Sequence, residues 1–362
     1  MSNSKKRKIS RKGLIKKLDT IFSKFIRLDN YNVEGGYVEC YTCGTKKESI
    51  KNIHNGHFIS RRFYPTRWDE GNCKPQCCNC NTYSQGQQYL FSLHLGAEQS
   101  LEMYKQSQIK HRPTDEELLE LIDVYDSKLN KLIIVNMKYN RYIQDAPLVS
   151  EIGLGAWQLG IDSGWQGMSE KEAYGIVQKS LEYGINFFDT APNYGHGTGE
   201  ERLGKALKGI DRSKIVINTK FGHTDSGITN YNSSYIRESL EGSLKSLRVD
   251  YVDSLIIHNP PLAFLDGNKN DHYEILERLM DEGKIKAYGA SLDNYEEMVL
   301  LMNTTNAKVI EAFFNILHQD TSRAFNMAIE KEVGIIAKIP LDSGWLSGKY
   351  NSESVFHDIR SR

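Results

Sequence analysis

No stretch of this chain approaches the roughly 18 consecutive apolar residues that a membrane-spanning helix needs, which excludes a transmembrane protein. The N-terminus is basic but lacks the apolar run of a secretory signal, so the cytoplasm is the expected compartment. No internal repeat spans the basic third and the remainder of the chain, and no low-complexity segment lies beyond the basic start. Net charge is missing too, because 46 Lys+Arg balance 46 Asp+Glu over 362 residues. The balance conceals a split. Residues 1–133 hold 22 basic against 15 acidic groups, and the totals leave 24 against 31 for the remainder. All six cysteines lie in the basic third, and none follows Cys80. At roughly 150 residues per domain, this length and asymmetry predict two domains with different partners.

The first 17 residues carry Lys5, Lys6, Arg7, Lys8, Arg11, Lys12, Lys16 and Lys17 and no acid. Such an arm neutralises phosphates and releases counterions, giving salt-dependent affinity for nucleic acid; a solvated tail is the plainer reading. From Leu14 the apolar residues Leu14, Leu18, Ile21, Phe22 and Phe25 recur at helical spacing, so residues 1–30 read as a basic arm running into an amphipathic helix. Cys40-x2-Cys43 and Cys77-x2-Cys80 then form two knuckles whose four thiolates suit a tetrahedral structural Zn²⁺. Disulfides are the alternative, disfavoured in the cytoplasm. Cys73 and Cys78 fall outside the spacing and read as ordinary thiols. Between the knuckles, His57 is a candidate general base, accompanied by His54, Arg61, Arg62 and the Asp69-Glu70-Gly71-Asn72 turn. Hydrolysis of a phosphodiester there calls for a divalent metal.

The stretch IFSKFIRLDN, GGYVECYTCG, NGHFISRRF and RWDEGNCKPQCCNCNTYSQG, with the helical tail HRPTDEELLELIDVYDSKL, resembles the phage NinG (Rap) family of recombination endonucleases, which nick branched DNA. The resemblance covers about residues 5–132. It implies a small α+β, zinc-stapled HNH-like (ββα-metal) nuclease domain over 31–133, with His57 activating water and Asn72 holding the hairpin in shape. Asn81 falls near the last metal-binding position of such sites. Many HNH sites place a metal ligand directly before the base; here that neighbour is Gly56, and His54 is the nearest substitute. His54 and Asn81 are therefore the candidate ligands of a catalytic Mg²⁺ or Mn²⁺. Arg61 and Arg62 join Lys5, Lys6, Arg7, Lys8, Arg11 and Lys12 as candidate DNA contacts.

From Met137 the pattern changes. VSEIGLGAW, GINFFDTA, KIVINTK, YVDSLIIHN, IKAYGAS, KVIEAFFNI and VGIIAKIP read as seven short buried strands separated by amphipathic helices. Repeating βα units of this length predict a (β/α)8 TIM barrel with its chemistry at the C-terminal strand ends. Those ends offer Asp189, Tyr194, Lys220 and His258, a set suited to carbonyl reduction. Tyr194 would protonate the carbonyl oxygen, Lys220 paired with Asp189 would lower the tyrosine pKa, and His258 would orient the substrate.

This tetrad, with GLGAWQLG, INFFDTAPNYGHGTGEERLGKAL, VDYVDSLIIHNP and KIPLDSGWLSGKY, resembles the aldo-keto reductases. The resemblance implies that Ser291 bonds the nicotinamide amide of NADPH and that Trp157 lines the nicotinamide and substrate pocket. Glu311 stands where the family usually has Gln, and Lys338 where many members have an aromatic residue or Arg. The segment 137–362 ends just past the seventh strand, ahead of the strand and helix that hold the adenosine 2′-phosphate. An incomplete barrel of about seven strands with a weak or lost grip on NADPH is therefore expected.

No Gly/Ser/Pro linker separates the two parts, and a gene fusion is the favoured reading of their union. Three functions compete: a metal-dependent endonuclease acting on branched DNA, an NADPH-dependent reductase of small carbonyl compounds, and a catalytically silent zinc-dependent DNA-binding module. His57 with Asn72 favours the first over the third.

Overall fold

The computed structural model describes residues 9–144, 146–160, 168–351 and 353–355. Lys5, Lys6, Arg7 and Lys8 lie outside the described residues. The chain divides into two compact units, Met1–Asn136 and Met137–Arg362. No helix among the described residues is long and apolar enough to cross a membrane.

Unit 1 opens with helix α1 (Arg11–Asp29), whose N-terminus is capped by the Ser10 hydroxyl accepting from the Gly13 amide at 3.3 Å. Strands β1 (Tyr31–Asn32), β2 (Tyr37–Glu39) and β3 (Lys46–Lys47) form a small antiparallel sheet. Strand β4 (His54–His57) and strand β5 (Cys73–Gln76) form an antiparallel hairpin that pairs His57 with Cys73. The short helix α2 (Tyr64–Arg67) sits in the loop joining these two strands. Helices α3 (Gln88–Leu95), α4 (Ala97–Ser107) and α5 (Asp115–Asn136) follow. A capping box starts α5: the Thr114 amide donates to Glu117 at 2.6 Å and the Glu117 amide to the Thr114 hydroxyl at 3.2 Å.

Helices α1 and α5 run side by side in the same direction, since Arg11 pairs with Asp115 and Phe22 stacks edge-on against Tyr125. Leu14, Leu18, Phe22, Phe25 and Ile26 bury their stripe against Leu118, Ile122, Tyr125 and Leu129, with Trp68 and Cys73 from the hairpin region completing the core. The N-terminal helix thus supplies one wall of the unit and holds the hairpin in place.

Unit 2 begins with a two-stranded hairpin, β6 (Tyr139–Asn140) and β7 (Val149–Ser150). Seven parallel strands follow in strict sequential order: β8 (Leu154–Gly155), β9 (Phe187–Asp189), β10 (Val216–Phe221), β11 (Val252–Ile257), β12 (Ile285–Leu292), β13 (Val309–Phe313) and β14 (Gly334–Lys338). Between successive strands lie α6 (Glu170–Glu182), α7 (Thr198–Ala206), α8 (Tyr235–Leu247), α9 (His272–Asp281), α10 (Tyr295–Thr304) and α11 (Phe325–Glu330). This is the (β/α)8 type of architecture with seven strands, as the run of buried apolar segments predicts. Residues buried on both faces explain the near-continuous apolar strands: β10 and β11 are buried at every position. Tyr142, Ile143, Ala146 and Val149 pack in one cluster with Phe187, Val216, Ala287 and Val309, residues near the strand starts, and with Ile256 further along β11, and so cover the N-terminal end of the barrel. The opposite end, where the strands finish, is left for chemistry.

Candidate active sites

In unit 1 the four sulfurs of Cys40, Cys43, Cys77 and Cys80 lie within 4.8 Å of one another. Thr42 and backbone amides donate to Cys40 and, against the raising effect of burial, bring its pKa down to about 6. Cys77 and Cys80 are instead pushed up, first by burial and then by the neighbouring thiols. Four crowded sulfurs whose simultaneous ionisation is opposed by mutual repulsion are what a divalent cation would relieve, and an all-thiolate set suits Zn²⁺. Cys73 is buried and Cys78 exposed, both outside this cluster.

On the hairpin, His57 Nε2 faces the Arg67 carbonyl at 3.3 Å. Burial, the largest influence, lowers the His57 pKa, so the imidazole is neutral at pH 7. His57 lines a cleft of about 320 Å³ together with His54, Asn55, Asn81, Arg61 and Arg67. His54 and Asn81 are brought together, the amide nitrogen of Asn81 lying 3.2 Å from His54 Nδ1. The β-turn of Asn72 shows why the hairpin keeps its shape. Its fully buried amide accepts from Ile59 N at 2.6 Å and donates to the carbonyls of Ile59 and Thr66 at 3.0 and 2.8 Å. Arg62 lies over the Phe63 ring, 4.7 Å from its centroid, and does not line the cleft. Arg11 is engaged by Asp115 and by the Pro113 carbonyl, while Lys12 is exposed.

Among the cleft residues that escaped the sequence reading are Asp19, Ser23 and Arg27. Their spacing of four places them on one face of α1 beside its apolar stripe, and that polar stripe was the available signal.

At the C-terminal end of the barrel in unit 2, Asp189 closes β9, Lys220 lies near the end of β10, and His258 follows β11. The Lys220 ammonium donates to both Asp189 carboxylate oxygens at 2.7 and 2.8 Å and to the Thr190 carbonyl at 3.0 Å. Glu311 on β13 lies 3.3 Å from the same ammonium. Burial alone would lower the Lys220 pKa, but Asp189 and Glu311 outweigh it and hold it well above the ordinary value. Tyr194 places its ring 5.2 Å from the Lys220 ammonium and 6.0 Å from the His258 ring.

The net shift on Tyr194 is upward, contrary to the lowering expected from Lys220. Burial is the largest influence, and the carboxylates of Asp189 and Glu311 cancel much of the help from the lysine. His258 is driven well below its usual range, by burial first and then by Lys220, so it is neutral, and its Nδ1 has no partner among the described residues.

Ser291 donates to Asn259 Oδ1 at 2.8 Å, and Lys338 donates to Ser291 and Asn259 at 2.8 and 2.7 Å while pairing with Asp293 at 2.7 Å. Asn259 was missed from sequence although it directly follows His258. Glu311 Oε2 is buried and faces the Lys220 ammonium at 3.3 Å. Its strand register sets it opposite Ser291, so a hydroxyl and a carboxylate, groups able to bond a carboxamide, stand side by side. Trp157, partly exposed, lies in the short helix after β8.

Comparison with known proteins separates along the same division. The model of the Aldo/keto reductase family matches residues 151–362, and that of Bacteriophage Lambda NinG protein matches residues 2–133. The aldo-keto reductase YhdN of Bacillus subtilis is 30% identical over 233 residues, covering 62% of this chain and 69% of its own length. L-galactose dehydrogenase of Arabidopsis thaliana is 30% identical over 206 residues, covering 55% of this chain and 64% of its own. Among solved structures, the holo form of an aldo-keto reductase from Bacillus halodurans superposes with a TM-score of 0.53 at 30% identity, over 61% of this chain and 73% of that one. The glycerol dehydrogenase of Gluconobacter oxydans gives a TM-score of 0.53 at 28% identity, over 62% of this chain and 70% of that one. The chain spans about two thirds of the curated relatives it matches.

Proposed function

Because the chain belongs to the aldo/keto reductase family through residues 151–362, we propose that its second unit reduces a small carbonyl compound with a nicotinamide cofactor. The observation that carries this is the buried Lys220 held by Asp189 and Glu311 beneath Tyr194 and a neutral His258. Tyr194 is the proton donor. Its raised pKa keeps the hydroxyl protonated at neutral pH, and the lysine charge stabilises the phenolate as the proton leaves. The neutral His258 ring offers an N–H to the carbonyl oxygen and fixes its direction. Ser291, Glu311, Lys338 and Trp157 are the residues that would hold NADPH, which when bound supplies the hydride. Lys338 occupies Ser291 and Asn259, so the amide must compete with an ammonium for those groups.

The test is NADPH oxidation by the full chain over a panel of aldehydes, with cofactor binding followed by fluorescence. Tyr194→Phe is expected to lower turnover by roughly 10²-fold or more. Absence of turnover in the wild type, or full turnover in Tyr194→Phe, overturns the reading.

For unit 1, the neutral His57 in a cation-lined cleft supports a second activity: metal-dependent nicking of branched DNA, in an HNH-like domain stapled by Zn²⁺ on Cys40, Cys43, Cys77 and Cys80. His57 takes the proton of the attacking water, and its Nε2–H is oriented by the Arg67 carbonyl. His54 and Asn81 are the side chains that would hold Mg²⁺ or Mn²⁺, which supplies charge stabilisation at the scissile phosphate. His57→Ala is expected to abolish nicking of a four-way junction while leaving binding nearly intact, because affinity comes from cations rather than from the base. Wild-type nicking by His57→Ala sinks the assignment. A wild type that binds and never cuts identifies unit 1 as a silent DNA-binding module.

A further inference from the structure

The cleft that contains His57 is unbalanced in charge. Arg27, Lys51, Arg61 and Arg67 line it, against one carboxylate, Asp19. That carboxylate is already committed. Arg67 donates to it twice, at 3.0 and 2.6 Å, and the Trp68 indole at 2.9 Å.

Arg27 is the unusual member. It is half-buried and pairs with no carboxylate among the described residues. Its Nε donates to the Ser23 carbonyl at 2.9 Å and its Nη1 to the carbonyls of Ile50 and Ile53 at 2.8 and 3.5 Å. Nη2 donates to nothing among the described residues. Three backbone carbonyls therefore fix the plane of the guanidinium and leave its charge unneutralised. Partial burial already strains that charge, lowering the Arg27 pKa. A desolvated cation with a rigid fork and no counter-ion is built to receive an anion, and guanidinium geometry matches phosphate oxygens.

We propose that Arg27 is the anchor for a DNA backbone phosphate in this cleft, seating a phosphodiester beside His54 and His57. The proposal rests on reading unit 1 as a nuclease, and it extends that reading to a residue on α1, outside the hairpin. Arg27 acts by holding the phosphate; Lys51 and Arg61, which also pair with no carboxylate among the described residues, add unfixed positive charge at the same cleft.

The experiment uses the full chain, without added Mg²⁺ so that nothing is cut. Inorganic phosphate is titrated against thermal unfolding of unit 1, and a fluorescent four-way junction is titrated at several salt concentrations. Arg27→Gln is expected to weaken phosphate binding about tenfold or more and to reduce the salt slope of junction binding by about one phosphate. Arg27→Lys, which keeps the charge but loses the fork, should fall between. Lys24→Gln, the same charge change on the exposed side of α1, should stay within about twofold of wild type.

Arg27 also braces the Ile50–Ile53 segment, so a wild-type measurement stands beside the variants. Phosphate should slow phenylglyoxal modification of Arg27, read by mass spectrometry. Phosphate affinity unchanged in a folded Arg27→Gln, or no protection of Arg27 in the wild type, overturns the proposal. Nicking is scored separately. A wild type that never nicks but shows Arg27-dependent phosphate binding removes the nuclease reading and keeps this one, and His57-dependent nicking with Arg27-independent phosphate binding does the reverse.

Discussion

Glu200 is a carboxyl that catalysis at the barrel mouth does not employ. It is 2% exposed, accepts from the Thr219 hydroxyl at 2.6 Å, and is pushed by burial to a pKa of about 7 from an ordinary 4.5, with Thr219, Ser243 and Lys220 pulling the other way. A folded pKa above the unfolded one means that the native state holds the proton more tightly. Its stabilisation is complete below about 4.5 and is lost as pH rises through about 7. Between pH 5 and pH 8 this one group should cost unit 2 about 2–3 kcal/mol. Glu200→Gln should flatten that difference in urea unfolding; an unchanged pH dependence refutes the assignment. Nothing in TGEERLGKA distinguishes Glu200 from its exposed neighbour Glu201, because only the packing of α7 against β10 decides which is inside. Asp189, Lys220 and His258 were legible for the opposite reason: each ends an apolar run, and strand ends are where a barrel exposes chemistry.

Among the elements, the close approach of β12 to β13 is the sharpest constraint. A Cβ on Gly289 would lie 1.6 Å from the Val309 carbonyl oxygen, and that oxygen belongs to a paired backbone that cannot give way. Gly289→Ala should therefore destabilise unit 2 by roughly 3 kcal/mol or more, seen as a lowered melting transition. Gly175, inside α6, meets nothing within 4 Å, and Gly175→Ala should instead stabilise by about 0.5–1 kcal/mol. Equal effects at the two glycines would refute the packing argument. Barrel strands β9 to β13 could be read from sequence because burial on both faces leaves apolar runs. Strands β1, β3, β6 and β7 could not: each has two residues, too few to show an alternation.

At the scale of the whole molecule, the two units have separate means of support. Chelation of Zn²⁺ should unfold unit 1 and leave the melting transition of unit 2 in place, and metal analysis should find one zinc per chain, lost in Cys40→Ser. Chelation that leaves unit 1 folded removes the metal from the account. The α1–α5 pair bears on time rather than on stability. Arg11 waits for Asp115, 104 residues downstream, and until then α1 can bury its apolar face only against Trp68 and Cys73 of the hairpin region. At roughly 5–20 residues per second of synthesis, full cover of that face is delayed by about 5–20 s while the intervening knuckles and hairpin emerge. For that interval the apolar stripe of α1 is the part of unit 1 most open to mistaken contacts, and α5 is what ends it.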